Sequence, residues 1–256
     1  MHALLAVDWH VIWLRIFHPN HVFTQALWAT IYMSIVAQAL GVLLGLFAAL
    51  ARVSRLRPLR WLSGVYVWIF RGTPVLVQIF YIYFAFKWPT LHVGFTVSDA
   101  ALAAIVALSI NEGAYMREII RAGIDSIDRG QMEAAKSLGM TYGLAMRRII
   151  LPQAARVIVP PLGNEFNNMM KTTSLAYTIG VYELFADAEQ GYSQTFLADY
   201  FLAVAFWYLV LTTVWTFVQA AIERRLAASE RAEELTFRER LVAAWNPMTA
   251  WARGAR

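Results

Sequence analysis

From residue 24 to residue 51 the chain runs without a formal charge. A helix needs roughly 20 apolar residues to cross about 30 Å of hydrocarbon, so this stretch is long enough to span a bilayer. The composition agrees: 59% of the 256 residues are hydrophobic and 15% are charged, against roughly 45–50% and about 25% in soluble chains. Ten Trp, eleven Tyr and fifteen Phe add the aromatic bulk that gathers at bilayer interfaces. This balance excludes an ordinary cytosolic domain and a disordered chain. With no cysteine, it also excludes a disulfide scaffold, a thiolate nucleophile, an iron–sulfur cluster and a Cys-based zinc site. The net charge of +5 does not mark a nucleic-acid binder, because 19 of the 22 basic residues are Arg set between apolar stretches. An all-α integral membrane protein is expected.

Four further spans follow. Residues 59–86 are apolar but interrupted at Phe70-Arg71-Gly72-Thr73-Pro74, which predicts an interfacial half-helix over 59–70 and a deep one over 75–86. A third span covers 97–121 and a last one 196–222. Between 156 and 181 the hydropathy is diluted by Pro160, Pro161, Asn164, Glu165, Asn167, Asn168 and Lys171, and charge decides the matter. Four basic residues lie in 51–60 (Arg52, Arg55, Arg57, Arg60) and seven in 117–156 (Arg117, Arg121, Arg129, Lys136, Arg147, Arg148, Arg156). Seven more follow residue 222, from Arg224 to Arg256. A span over 156–181 puts all three groups on one side, as the positive-inside bias requires. The expectation is five transmembrane helices with the N-terminus out and the C-terminus in.

Residues 1–23 form the outer segment, where Trp9, Val11, Ile12, Trp13, Ile16 and Phe17 suit a short helix lying on the interface. With no cationic start and no clear small-residue cleavage site, a removed signal peptide is not expected. The cytoplasmic tail is 224–256, and its stretch 223–240 has the mixed charge of a solvated helix. No internal repeat, low-complexity tract or second globular domain is evident.

The cytoplasmic loop 122–155 is the most informative region. It contains Gln131-Met132-Glu133-Ala134-Ala135-Lys136-Ser137-Leu138-Gly139, then residues 140–148, then Ile149-Ile150-Leu151-Pro152. The pattern predicts a short helix stopped by Gly139, a second short helix, and a proline break before the next span. Glu133, Ala134, Ala135 and Leu138 suit a small apolar patch beside an acid. Such a patch fits a groove of another protein, or else rests on lipid headgroups.

The pattern E-A-A-x-x-x-G, followed after nine residues by I-x-L-P, resembles the coupling motif of ATP-binding-cassette import permeases. Arg71-Gly72-Thr73-Pro74-Val75-Leu76-Val77-Gln78 resembles the R-G-T-P-x-x-V-Q stretch of the polar amino-acid uptake branch. So do Leu151-Pro152-Gln153-Ala154-Ala155-Arg156, Pro160-Pro161-Leu162-Gly163-Asn164-Glu165 and Lys171-Thr172-Thr173-Ser174-Leu175. The resemblance covers about 24–223. It implies a five-helix permease of the bacterial inner membrane that pairs with a second copy or a homologous permease. Two cytoplasmic ATP-binding subunits and a periplasmic amino-acid-binding protein complete the implied assembly, in contact with membrane lipid. Glu133, Ala134, Ala135, Leu138 and Gly139 would then seat in an ATPase groove.

No G-x-x-x-x-G-K-[ST] phosphate loop is present. The five histidines, His2, His10, His18, His21 and His92, form no H-E-x-x-H pattern, and interfacial positions explain His18 and His21 better than a metal does. No catalytic residue, metal or cofactor is expected. Charges within a bilayer are costly, roughly 2.5–3.5 kcal/mol at mid-depth, so Glu112, Glu165 and Lys171 are candidates for a solute pathway. Asn164, Asn168 and Lys171 fall at i, i+4 and i+7 on one helical face. That stripe suits a pathway for ammonium and carboxylate groups, or interhelical hydrogen bonding. Gln78 and Tyr81, just past the break, are expected to face the same cavity. The acids lean toward a basic or zwitterionic amino acid. A stand-alone secondary carrier remains the competing function, and a membrane-embedded enzyme is the weaker third.

Overall fold

A computed structural model describes residues 7–245, with side chains described through residue 226. The described residues are almost wholly helical. Helix α1 (Trp9–Phe17) is capped by Asp8, whose carboxylate accepts from the backbone N–H groups of His10 and Val11. Trp9, Trp13 and Phe17 are exposed along it, as an interface-lying helix requires.

Helix α2 (His21–Val53) begins at Asn20, whose side chain accepts from Phe23 N–H at 2.8 Å. At 1.5 Å per residue it is about 50 Å long. Its buried side is a stripe of small residues: Ala26, Ala29, Thr30, Ser34, Ala37, Gly41, Gly45 and Ala49. Facing it is α5 (Asp99–Asp125), with Ala100, Ala101, Ala103, Ala104, Ala107 and Gly113 buried. A Cβ on Gly41 would stand 2.6 Å from Glu112 Cγ, and one on Gly45 only 2.3 Å from Met116 Cβ. Glycine at these positions lets two backbones approach closely, which drives helix association where lipid is as apolar as the side chains.

Helices α3 (Arg57–Gly72) and α4 (Val75–Ala85) are the two halves expected around the break, bent by 108°. The connection to α5 holds a two-residue hairpin, Leu91–His92 against Thr96–Val97, which sequence patterning had not indicated. The core joins Met33 and Ala37 of α2, Ile79 and Ile82 of α4, the alanine face of α5, and Met169, Ala176 and Ile179.

After α5, helix α6 (Arg129–Ser137) is followed by α7 (Tyr142–Ala145), a π turn (Met146–Ile150) and α8 (Leu151–Thr172). The proline break expected before this span does not occur. Pro152 is the second residue of α8, directly after the π turn, and the chain runs helically from Tyr142 onward. A 3-10 segment, Thr173–Ile179, continues α8 and ends at Gly180, whose φ is +89°.

Between the spans expected over 156–181 and 196–222 the structure forms α9 (Leu184–Thr195). Glu183 caps it, accepting from Phe185 and Ala186 N–H, and takes a third hydrogen bond from Tyr208 at 2.8 Å. Helix α10 runs Asp199–Trp245, and its Val204 packs with Phe23, Leu184 and Ala188.

Two compact units divide the chain after Trp215. The second begins at Thr216 and continues as helix, with Gln219 Nε2 donating to Glu223 at 2.9 Å. Side chains of the mixed-charge stretch beyond residue 226, and the tail after 245, lie outside the described residues. Among the described residues two helical stretches suffice by length and hydropathy to cross a membrane, His21–Val53 and Asp199–Leu226, and a third if α3 and α4 count as one broken span.

Candidate functional site

The break between α3 and α4 frees backbone carbonyls, which in an apolar setting must find donors. Gln78 supplies them. Its Nε2 lies 3.0 Å from Phe70 O, 3.1 Å from Thr73 O and 2.8 Å from Thr73 Oγ1. Asn111 of α5 donates to Phe70 O and to Gln78 Oε1, both at 2.9 Å. The bend is therefore clamped by one amide from α4 and another from α5.

Against this clamp lies a cavity of about 480 Å³. Thr73, Pro74 and Val75 of the break form one wall, Leu108, Asn111, Glu112 and Tyr115 of α5 a second, and Glu165, Asn168, Met169, Lys171 and Thr172 of α8 a third. Two carboxylates, one ammonium and two amides thus meet at a single space. Glu112 is held from behind by Gln38 of α2, whose Nε2 donates to it at 3.0 Å. Arg117, close enough in sequence to neutralise Glu112, instead pairs with Glu118 and donates to Ser63 at 3.3 Å. Arg71 lays its guanidinium over the Tyr115 ring, 5.1 Å from the centroid.

Of the residues expected to line a solute pathway, Glu112, Glu165, Asn168 and Lys171 border this cavity. Three of its other expectations are corrected. Gln78 is buried and occupied with the bend, so it does not line the cavity. Tyr81 is 70% exposed, because the buried side of α4 is set by Gln78, Ile79 and Ile82. Asn164 is exposed and stands outside the lining. Gln38, Asn111 and Tyr115 went unread, since nothing in α2 or α5 alone signals that they converge.

The second candidate region is α6. Asp128 caps it, accepting from Gly130 N–H, and Gly139 ends it with φ +78°. That left-handed conformation disfavours any residue with a Cβ, by roughly 1–2 kcal/mol. Glu133 and Ala134 are exposed and Leu138 is 83% exposed. Ala135 is 1% exposed and departs from the expected patch: it faces inward, where α6 packs on the π turn. Glu133, Ala134 and Leu138 remain exposed.

Between the fourth and fifth expected spans, Arg15 reaches from α1 to Asp187 of α9 at 3.1 Å, and Trp207 Nε1 donates to Arg15 O at 3.2 Å. Burial pushes the Asp187 carboxyl above its ordinary value, against the pull of that guanidinium. Among the described residues no group of three or more His, Asp or Glu is placed to hold a metal ion.

Residues 41–228 match the family described as binding-protein-dependent transport system inner membrane component. The L-cystine transport system permease protein TcyB of Bacillus subtilis is 41% identical over 223 residues, 86% of this chain and 92% of that one. The arginine transport system permease protein ArtQ of Bacillus subtilis is 37% identical over 207 residues, 80% and 93% of the two chains. A crystal structure described as an amino acid ABC transporter with histidines superposes with a TM-score of 0.72 at 38% identity, over 80% of this chain and 94% of that one. The MetNI methionine ABC transporter, inward facing, shares the fold with a TM-score of 0.66 at 20% identity. The chain belongs to the family of binding-protein-dependent transport system inner membrane components.

Proposed function

We propose that this chain is the transmembrane permease subunit of an ATP-binding-cassette importer for polar amino acids, set in the bacterial inner membrane. The observation that carries the substrate class is the cavity at the α3–α4 break, where Glu112, Glu165, Asn168 and Lys171 share one wall-to-wall space. Carboxylates recognise an ammonium group; an amide and a lysine recognise a carboxylate. Relatives named for cystine, arginine and glutamine transport support the same class. They also support an ATP-driven importer over a stand-alone secondary carrier.

In this reading α2, the α3–α4 pair, α5, α8 and α10 are the five spans, with the N-terminus outside and the positive loops and tail inside. Two ATPase subunits bind the cytoplasmic face, a periplasmic binding protein delivers solute, and a second permease completes the pore. ATP hydrolysis belongs to the partners. Glu133, Ala134 and Leu138 face an ATPase groove, and Gly139 turns the chain out of the helix. Movement of α6 passes to the π turn it packs on, and the turn is helically continuous with α8. The far part of α8 carries Glu165, Asn168 and Lys171, so a rigid displacement at one end reshapes the cavity at the other.

The test is uptake by proteoliposomes holding the assembled transporter. Glu165→Gln and Glu112→Gln each remove a charge-assisted contact worth about 1.5–3 kcal/mol, so uptake at subsaturating solute falls about tenfold or more while ATPase association persists. Unaltered uptake kinetics in both variants would remove these acids from the pathway.

A further inference from the structure

The end of α2 and the start of α3 carry Arg52, Arg55, Arg57 and Arg60, with no acidic residue in 51–60. The ion pairs among the described residues engage Arg15, Arg117 and Arg121 and none of these four. Beside them runs a groove of about 270 Å³, lined by Arg52, Arg60, Trp61, Gly64, Val65 and Trp68. Arg60, Gly64 and Trp68 follow one another at i, i+4 and i+8, so the groove runs along a single face of α3. It is cationic where it begins and apolar beyond. The space over Gly64 is open: a Cβ there would meet nothing within 4 Å. Trp61 and Trp68, 66% and 76% exposed, flank it. Of the whole of α3, only Ser63 is buried.

We propose that this groove holds one anionic phospholipid, its phosphate between Arg52 and Arg60 and an acyl chain along Gly64 and Val65 between the two indoles. Charge complementarity selects the occupant. Guanidinium groups bind phosphate in a bidentate fork, and tryptophans settle at headgroup depth with one edge apolar and one wet. The groove's apolar continuation is what a lipid has and a free phosphate lacks. Because α3 leads directly into the bend whose Thr73, Pro74 and Val75 line the cavity, the bound lipid fixes the α3 arm of that bend.

The experiment places the full-length chain in nanodiscs of equimolar phosphatidylglycerol and phosphatidylcholine, extracts it, and counts retained lipid by native mass spectrometry. The wild-type chain retains phosphatidylglycerol in preference to phosphatidylcholine. Arg52→Gln with Arg60→Gln lowers that retention about thirtyfold, which corresponds to about 1 kcal/mol for each arginine near the surface. Gly64→Leu fills the groove and also releases the lipid, while circular dichroism and melting stay at wild-type values. Arg55→Gln with Arg57→Gln, outside the groove, leaves retention unchanged. Equal retention of the two lipids overturns the proposal, as does equal loss in both arginine pairs, which would mark a diffuse basic surface. Displacement of the lipid by excess inorganic phosphate overturns it in favour of a free-anion site. If Gly64→Leu converts a dimer to a monomer with lipid retention unchanged, a second copy occupies the groove and the lipid does not.

Discussion

Gln78 shows how one side chain makes a broken span tolerable. A helix interrupted in an apolar medium exposes carbonyls that water cannot reach, and each costs free energy unless a donor arrives. Gln78 and Asn111 deliver those donors to Phe70 and Thr73. Gln78→Leu removes them at little change in volume, and we expect a loss of about 1–3 kcal/mol, read as a lowered melting temperature of the purified chain. Unchanged melting would contradict the clamp. The break itself was legible in Gly72-Thr73-Pro74, and the need for a nearby polar group followed from it. That Gln78 is consumed by the bend was not legible, because the 108° turn redirects α4 in a way residue spacing does not encode. Tyr81 was misplaced for the same reason. It lies roughly 100° around α4 from the buried face at 100° per residue.

Elements in this molecule are held together mainly by smallness. The α2–α5 pair meets along alanines and glycines, and Gly41 and Gly45, four apart, are backed by Gly113 of the partner helix. Gly45→Leu forces its Cβ to within 2.3 Å of Met116 Cβ, and overpacking of this kind costs about 1–3 kcal/mol. Gly64→Leu, with open space around its Cβ, is the control whose melting should not move. Equal melting of the two variants would show that the α2–α5 approach is not what holds the pair. The uncharged stretch and the long final helix were plain from hydropathy. Helix α5 was read from an apolar run that its own Glu112 and Arg117 interrupt, and α8 needed the charge count, since Pro160 and Pro161 lie inside it. Helix α9 escaped notice altogether. Its twelve residues are weakly apolar and stand on a single buried cap, Glu183, whose third partner, Tyr208, lies 25 residues away.

At the scale of the whole chain, the loop that carries the family resemblance also presents an exposed face on α6. Ala135 is buried in α6, which packs on the π turn, while Glu133 and Leu138 are exposed. Glu133→Lys reverses a charge on that outer face and touches nothing in the core. ATPase co-purification should fall severalfold while membrane insertion and cavity-dependent solute binding persist; full ATPase retention with normal uptake would contradict the coupling role. Ala135 was assigned to the outward patch from spacing alone, and the packing of α6 on a turn eleven or more residues later was invisible to that argument. The most direct test of the account uses the absence of cysteine. Leu138→Cys gives the chain one thiol, 83% exposed at the wild-type side chain. A membrane-impermeant maleimide is predicted to label it in inside-out vesicles, to miss it in intact spheroplasts, and to react more slowly once ATPase subunits are bound. Labelling from outside in intact spheroplasts would contradict the account.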